Sequence, residues 1–233
     1  MFSIRIADLT VKIDNKYEYI QNMCKKYIID ADEADFEVSA SQQDLENERQ
    51  AADGEYSDGY LESLSIYRKI GTVIPSYNGF IFHSAVIEYG GKAYAFTAKS
   101  GTGKSTHILL WRKTFGDKVG IINGDKPIFR FIGDTLYAYG TPWCGKEGFN
   151  RNTRAPVGAL CFIERAKENS AEVMDGFEFV SRIFGQVFIP EEPLARVTVL
   201  ELIDRMSKTV PTYKLFCNME PEAAVTARDA IVK

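Results

Sequence analysis

The 233-residue sequence predicts an α/β fold with a mixed sheet and flanking helices. Two apolar runs, GFIFHSAVIEY and KAYAFTA, are separated only by Gly90-Gly91, which is typical of an antiparallel hairpin. The second run enters the glycine-rich segment SGTGKST, and HILLWRKTF follows with helical spacing. A strand, a glycine-rich loop and a helix in this order are typical of a phosphate-binding loop. Because the entering strand is also one arm of a hairpin, we expect antiparallel as well as parallel pairs in the sheet.

The composition narrows the possible functions. Hydrophobic residues make up 45% of the chain and charged residues 26%, which is ordinary for a globular protein. The net charge of −4 argues against nucleic acid or an anionic membrane as a partner of the general surface. The four cysteines are far apart and only two histidines are present, so neither a zinc site nor a disulfide framework is expected. No apolar leader or spanning run occurs, and we expect a cytoplasmic protein with reduced thiols.

Residues 1–77 are predicted to form an N-terminal α/β portion that packs on the rest. A strand is expected where apolar residues alternate, and a helix where they recur at helical spacing. Ser41 with Asp44 three residues later is a weaker version of the capping box and predicts a helix start. The expected elements are, in order, SIRIADLTVKI (strand), KYEYIQNMCKKYI (helix), DFEVSA (strand), SQQDLENERQAA (helix) and DGYLESLSIYRKIGTVI (helix).

Strands and helices alternate through residues 78–233. The segment that joins TPW to RAP is too long and irregular for a simple connector, which favours a functional role for residues 141–154. The elements expected after the glycine-rich helix are VGIIN (strand), KPIFRFIGDTLYAYG (hairpin with Gly133-Asp134 at its turn), VGALCFIER (strand), DGFEFVSRIFGQVF and EPLARVTVLELIDRMSKTV (helices), TYKLFCN (strand) and PEAAVTARDAIVK (helix).

The glycine-rich segment has the chemistry of a nucleotide site. Glycines let backbone N–H groups approach phosphate oxygens, and the helix start near Gly103 directs its positive dipole end at the same anion. Lys104 would reach the β- and γ-phosphates of ATP, and the Ser105 hydroxyl would ligate Mg²⁺. The alternative is a Gly/Ser turn with a chance lysine. The predicted nucleotide-binding residues are Ser100, Gly101, Thr102, Gly103, Lys104, Ser105 and Thr106.

The first glycine of the usual pattern is replaced by Ala98. This costs little if the φ angle there is negative, because only a positive φ demands glycine.

Asp125 ends the segment VGIINGD, an apolar strand followed by an acid. If the helix after the loop crosses back over the sheet, this strand ends on the same rim as the loop. There Asp125 would hold Mg²⁺ or accept a proton from an attacking hydroxyl. The alternative is a residue that serves only the Asn-Gly turn.

Three further sets of residues are candidates. His83 lies on an apolar face of the predicted hairpin, where a histidine is more often a core residue than a functional one. Lys146, Arg151 and Arg154 in the irregular segment would bind an acidic substrate or the transferred phosphoryl group, unless they are only solvated. Glu164 and Arg165 end an apolar strand and are either close to the phosphate site or part of a surface turn.

The run GFIFHSAVIEYGGKAYAFTAKSGTGKST resembles the catalytic domain of HPr kinase/phosphorylase, over about residues 79–165. Its SGTGK core is also similar to ATP-dependent phosphoenolpyruvate carboxykinase, which shares that fold. The resemblance implies a P-loop fold and a kinase-like catalytic domain over residues 78–233. It implies that His83 lies near the γ-phosphate and that Asp125 is the catalytic base. Gly124 stands where the family has a first aspartate, and no segment resembles the one that binds HPr.

The prediction is therefore an ATP- and Mg²⁺-dependent phosphotransferase. Asp125, Lys104 and His83 would be catalytic, and the acceptor would be a hydroxyl of a protein, a peptide or a small molecule. One alternative is a nucleotide-binding regulator without turnover, which Gly124 favours. Another is a carboxykinase, which lacks a recognisable set of metal ligands here. An oligomer is compatible with the family resemblance.

Overall fold

Two β-sheets and seven α-helices make up the structure, a computed structural model that describes all 233 residues. The smaller sheet belongs to the N-terminal part of the chain, and its strands are β1 (Phe2–Ile6), β2 (Leu9–Asp14), β3 (Ile28–Ile29) and β4 (Phe36–Ser39). Their order is β3-β1-β2-β4. The pairs β1–β2 and β1–β3 are antiparallel, whereas β2 and β4 are parallel.

The single strand predicted over SIRIADLTVKI is wrong, because this segment forms the hairpin β1–β2. The turn consists of Ala7 and Asp8, whose φ angles are +49° and +58°. A non-glycine residue seldom adopts a positive φ, and alanine gives no sequence signal for such a turn. The apolar residues on both arms are buried, so the hairpin keeps the hydrophobic face that the alternation predicted.

Three helices cover this sheet: α1 (Glu18–Met23), α2 (Gln42–Ala51) and α3 (Asp58–Val73). The predicted capping box at the start of α2 is confirmed, since the Asp44 amide donates to Ser41 Oγ (3.2 Å) and the Ser41 amide donates to Asp44 Oδ2 (2.8 Å). The buried cluster of these elements extends to Ile128, Tyr139 and Trp143 of the following part. The two parts of the chain therefore share an apolar core.

The larger sheet has nine strands in the order β5-β9-β10-β11-β7-β6-β8, with β13 beside β11 and β12 outside β13. The ranges are β5 (Gly79–Ile81), β6 (Ala85–Tyr89), β7 (Lys92–Thr97), β8 (Val119–Asn123), β9 (Ile128–Ile132), β10 (Thr135–Tyr139), β11 (Arg154–Arg165), β12 (Ser170–Val173) and β13 (Thr212–Cys217). The long strand β11 pairs in parallel with β7 and β13, whereas β6–β7 and β9–β10 are antiparallel hairpins. The predicted mixed sheet is confirmed.

The run GFIFHSAVIEY is divided between two strands, contrary to the sequence prediction of one. Strand β5 pairs with β9, and β6 begins only at Ala85 and pairs with β7. His83 therefore lies in the gap between the strands and not on a hairpin arm. Gly90 and Gly91 form the predicted turn of the β6–β7 hairpin with φ angles of +57° and +77°.

Four helices flank the larger sheet: α4 (Lys104–Phe115), α5 (Gly176–Ile183), α6 (Pro193–Thr209) and α7 (Glu222–Ile231). Buried residues of α4 and α7 pack in one apolar cluster with the sheet, and those of α5 and α6 pack in another. The predicted flanking helices are confirmed. No helix combines the length and the apolar composition that a membrane span requires.

Strand direction brings four chain segments to one edge of the larger sheet. β6 is antiparallel to both β7 and β8, so β7 and β8 run in the same direction. β11 is parallel to β7. The carboxyl ends of β7, β8 and β11 and the amino end of β6 consequently meet at this edge, which we call the functional edge.

Candidate functional site

The glycine-rich loop, residues 98–103, joins β7 to α4 at the functional edge. Gly101 and Gly103 have φ angles of +77° and +127°, and Gly103 is the N-cap of α4. A Cβ at either position would meet no atom within 4 Å, so backbone conformation and not space requires glycine there. Ala98 is not among the residues with positive φ, which agrees with the expectation that alanine is tolerated.

Lys104 is the first residue of α4 and is only 8% exposed. Its ammonium group donates to the carbonyl oxygen of Ala98 across the loop at 3.2 Å. Burial lowers the pKa of Lys104, and the charge of Asp125 opposes this shift. A buried cation with one neutral partner is well suited to receive an anion.

Asp125 and His83 form a pair beside the loop. His83 Nε2 lies 3.2 Å from Asp125 Oδ1, and the Lys126 ammonium lies 3.6 Å from Asp125 Oδ2. Burial raises the pKa of Asp125, but the hydrogen bond from His83 and the positive charges of Lys126 and Lys104 outweigh it and leave the pKa lowered. The carboxyl group is therefore ionised at neutral pH.

His83 is held by backbone contacts from two directions. Its amide donates to the Gln186 carbonyl at 2.7 Å, and its own carbonyl accepts from Thr97 Oγ1 at 2.9 Å. The next amide, that of Ser84, donates to the Asp125 carbonyl at 2.9 Å. The end of β7, the start of β6 and the turn after β8 are thus tied together.

Asn123 is a positioning residue that the sequence interpretation missed. Its Oδ1 accepts from the amides of Asp125 and Lys126, each at 2.9 Å, and its Nδ2 donates to the Thr141 carbonyl at 3.0 Å. The side chain is fully buried. A buried asparagine that ends an apolar strand two residues before an acid is the signal that would have identified it.

Gly124 is required by the space around it. A Cβ there would lie 2.8 Å from the Cys144 carbonyl oxygen, and the Gly124 amide donates to the Phe149 carbonyl at 2.9 Å. The connector, residues 140–153, therefore occupies the space that a side chain at this position would need.

A cleft of about 980 Å³ unites these groups. The loop lies on one side, Asp125 and His83 lie on another, and Tyr19 and Tyr60 of the N-terminal helices form a further wall. Of the predicted site residues, those that line the cleft are Ser100, Gly101, Gly103, Lys104, Ser105, Thr106, Asp125, His83 and Lys146. Thr102 faces a neighbouring cavity instead.

Arg151 and Arg154 do not line the cleft. Arg151 donates to the carbonyl of Ile121 at 3.0 Å and pairs with Glu88 at 3.0 Å. Arg154 bonds the carboxylate of Asp8 in the β1–β2 turn and the Tyr139 hydroxyl. Of the three predicted cations, only Lys146 remains a candidate for substrate binding. The arginines were grouped with it by sequence proximity, but the connector turns them outward onto the sheets.

Arg165 supports the loop from the end of β11. Its Nε donates to the Thr102 carbonyl at 3.0 Å, and its terminal nitrogen donates to the Gly101 carbonyl. Glu164 pairs with Arg182 and takes no part in the cleft. Arg165 therefore lies close to the loop, whereas Glu164 does not.

Ser105 and Asp125 both line the cleft and carry oxygen atoms that suit Mg²⁺. Mg²⁺ keeps several waters and usually takes one or two protein ligands together with phosphate oxygens. A hydroxyl and a carboxylate that line one cleft fit that requirement.

Comparisons with known proteins give a similarity of fold only. No protein-family model and no curated protein matches the chain. Among solved structures, the HPr(Ser) kinase/phosphatase from Coxiella burnetii is similar over 64% of this chain and 95% of that chain, with 10% sequence identity and a TM-score of 0.38. At this identity and TM-score, the similarity says nothing about the function of this chain.

Proposed function

We propose that the protein is a phosphotransferase that moves the γ-phosphoryl group of Mg-ATP to a hydroxyl of an acceptor. One observation carries this proposal: a single cleft joins the glycine-rich loop and Lys104 to the Asp125–His83 pair. These groups come from the ends of three neighbouring strands. An anion-binding loop opposite an ionised carboxylate is the arrangement that phosphoryl transfer to a hydroxyl needs.

The loop and the start of α4 would bind the phosphates. Free backbone N–H groups and the helix dipole attract phosphate oxygens, and Lys104 neutralises their charge. Ser105 and Asp125 would hold Mg²⁺, which supplies further charge neutralisation when bound. Asp125 and Glu147 are the two acidic residues that line this cleft.

Asp125 would act as the general base. It takes the proton of the acceptor hydroxyl while that oxygen bonds to the γ-phosphorus and the bond to the β–γ bridging oxygen breaks, so that ADP leaves. The lowered pKa keeps Asp125 ionised at neutral pH, which is the form that a general base must have. His83, 3.2 Å away, fixes the orientation of the carboxylate.

The acceptor would enter beside Lys146 and the N-terminal helices. Tyr19 and Tyr60 present aromatic surface to the cleft, with their ring centroids 6.0 Å apart in an edge-to-face arrangement. Lys146, which lies on the connector, adds a positive charge to the cleft. This combination suits an acceptor that carries both an apolar part and a negative charge.

A nucleotide-binding regulator without turnover is the second candidate. It is favoured by Gly124, since the residue directly before Asp125 carries no carboxylate and the Cys144 carbonyl fills the space for one. Such a protein would bind Mg-ATP through the same loop but would form no ADP.

Two variants test the proposal, each with a matched control. Mg-ATP should raise the melting temperature of the wild type, and Lys104→Ala should remove most of this shift because the buried cation faces the phosphates. Lys99→Ala is the control, since Lys99 lies in the same loop but is exposed and does not line the cleft. An equal shift in Lys104→Ala and wild type would show that nucleotide does not bind at the loop.

Asp125→Asn should lower ADP formation by about 10²- to 10⁴-fold and change ATP affinity little, because the amide keeps the shape but not the basicity. ADP is measured with water and with a panel of polyols and serine peptides as acceptors. Asp32→Asn, at an exposed position that does not line the cleft, is the control. A wild type that shows the thermal shift but forms no ADP with any acceptor would support the regulator instead.

A further inference from the structure

A second cavity lies against the outer side of the glycine-rich loop. It has a volume of about 410 Å³, within the range of about 300–1,000 Å³ that ligand pockets occupy. Gly101, Gly103 and Thr106 line both this cavity and the main cleft. The loop is therefore a shared wall, with the Asp125–His83 pair on one side and the second cavity on the other.

The direction of the proposed reaction gives this cavity a role. The γ-phosphate must lie beside Asp125 to react, so the rest of the nucleotide must leave the loop at the opposite end. The second cavity contains no acidic residue that would repel the phosphates. We propose that it binds the nucleoside end of the nucleoside triphosphate; this inference rests on the proposed function.

The walls have the character that a heteroaromatic base requires. Leu110, Ile163 and Cys217 supply apolar surface at the bottom, and the exposed Met219 lies at the rim. The Arg165 guanidinium is held against the cavity by its bonds to the Gly101 and Thr102 carbonyls. A fixed planar cation and a polarisable thioether both bind aromatic faces well.

His107 adds a buried donor without a partner to the same wall. Its ring is 2% exposed, and its Nε2 accepts from the Trp111 indole at 3.0 Å. Because an indole can only donate, Nε2 is unprotonated and the neutral ring carries its proton on Nδ1. That Nδ1 has no hydrogen-bond partner. A nucleoside bound in this cavity would supply the missing acceptor once the atoms that now enclose Nδ1 move aside.

The test compares Mg-ATP with Mg-tripolyphosphate, which has the phosphates but no nucleoside, by isothermal titration calorimetry. Wild type should bind ATP at least about tenfold more tightly. Ala166→Trp, which fills the cavity, should weaken ATP binding by about tenfold or more and leave tripolyphosphate binding unchanged. Met219→Ala should weaken ATP binding by about three- to tenfold. Leu194→Ala is the control. Leu194 is 78% exposed, close to the 74% of Met219, but Leu194 does not line the cavity.

The outcomes separate the inference from the proposed function. Equal binding of both ligands to wild type, with unchanged ATP affinity in both variants, would overturn the inference and leave the phosphate site intact. Binding of neither ligand to wild type would overturn the proposed function and the inference with it. If Ala166→Trp loses both ligands, the loop has been disturbed and Met219→Ala decides: a loss selective for ATP supports the inference, and no loss overturns it.

Discussion

The burial of His107 makes the free energy of unfolding depend on pH. Burial lowers the pKa of His107 to about 3 from an ordinary value of 6.5. Below about pH 6.5 the unfolded chain binds a proton at His107, whereas the folded protein does not until the pH approaches 3. The contribution of neutral His107 to the free energy of unfolding is therefore complete above about pH 6.5 and is lost as the pH falls toward 3. At pH 5 this loss amounts to about 2 kcal/mol relative to pH 7.

Urea unfolding at pH 7 and pH 5 measures this effect. His107→Gln keeps an acceptor for the Trp111 indole and does not titrate, so the free energy of unfolding of this variant should fall less between the two pH values than that of wild type. The difference between the two proteins removes the contribution of every other titrating group. A difference close to zero would mean that the ring is protonated in the folded protein.

The residues whose positions at the cleft the sequence predicted are those whose sequence signals are local. Gly101 and Gly103 are defined by their own φ angles, and Asp125 by the strand that it follows. Asn123 was missed because its partner Thr141 lies 18 residues away, on a connector without a regular pattern. Arg154 was misplaced for the same reason, since its partner Asp8 lies 146 residues away.

At the scale of elements, the connector over residues 140–153 separates residues that are neighbours in sequence. Lys146 faces the cleft, whereas Arg151 bonds Glu88 and the Ile121 carbonyl behind it. We expect Lys146→Ala to raise the KM for an acidic acceptor by about threefold or more, with ATP affinity unchanged. Arg151→Ala, which removes a cation of the same connector, should leave both values unchanged.

Steady-state kinetics with the acceptor found in the ADP assay checks this expectation. A larger effect of Arg151→Ala on KM would show that the connector adopts another arrangement when substrate is bound. An equal effect of both variants on ATP affinity alone would assign the positive charge of this connector to the nucleotide and not to the acceptor.

Hairpins and helix starts were predicted well where short-range rules determine them. Gly90-Gly91 and the capping box of Ser41 and Asp44 both contain their information within four residues. The turn at Ala7-Asp8 has no such signal. The gap at residues 82–84 was hidden because β5 and β6 are both apolar and only their different partners, β9 and β7, separate them.

At the scale of the whole molecule, Trp143 joins the connector to the N-terminal helices. Its ring stacks on Tyr67 with centroids 4.1 Å apart, and its indole donates to the Ser63 carbonyl at 3.0 Å. We expect Trp143→Ala to lower the free energy of unfolding by about 3–5 kcal/mol, the range for loss of a large buried aromatic residue. Trp143→Phe keeps a stacked ring and should cost about 0.5–1.5 kcal/mol, the range for one lost hydrogen bond, because the Ser63 carbonyl lies within α3 and keeps its helical bond.

Urea unfolding of the three proteins at pH 7 gives these values. Equal stability of wild type and Trp143→Ala would mean that the N-terminal part contributes little through this contact.

The division of the chain at residue 77 stays a prediction, although Ile128, Tyr139 and Trp143 pack in one cluster with the N-terminal part. Strand order was beyond the sequence, because pairing between β11 and its three neighbours depends on apolar surfaces that many arrangements would bury.

The strand order also gives β6 the role of a spacer between β7 and β8. It lies between β7, which leads into the loop, and β8, which leads to Asp125, so two inter-strand spacings, about 9–10 Å in all, separate these two strands. The distance between these two strands is set by backbone hydrogen bonds and does not depend on the length or sequence of the surface loops. Insertions in the connector or the N-terminal part would change which molecules enter the cleft, but they would leave the calibrated gap between the two strands as it is.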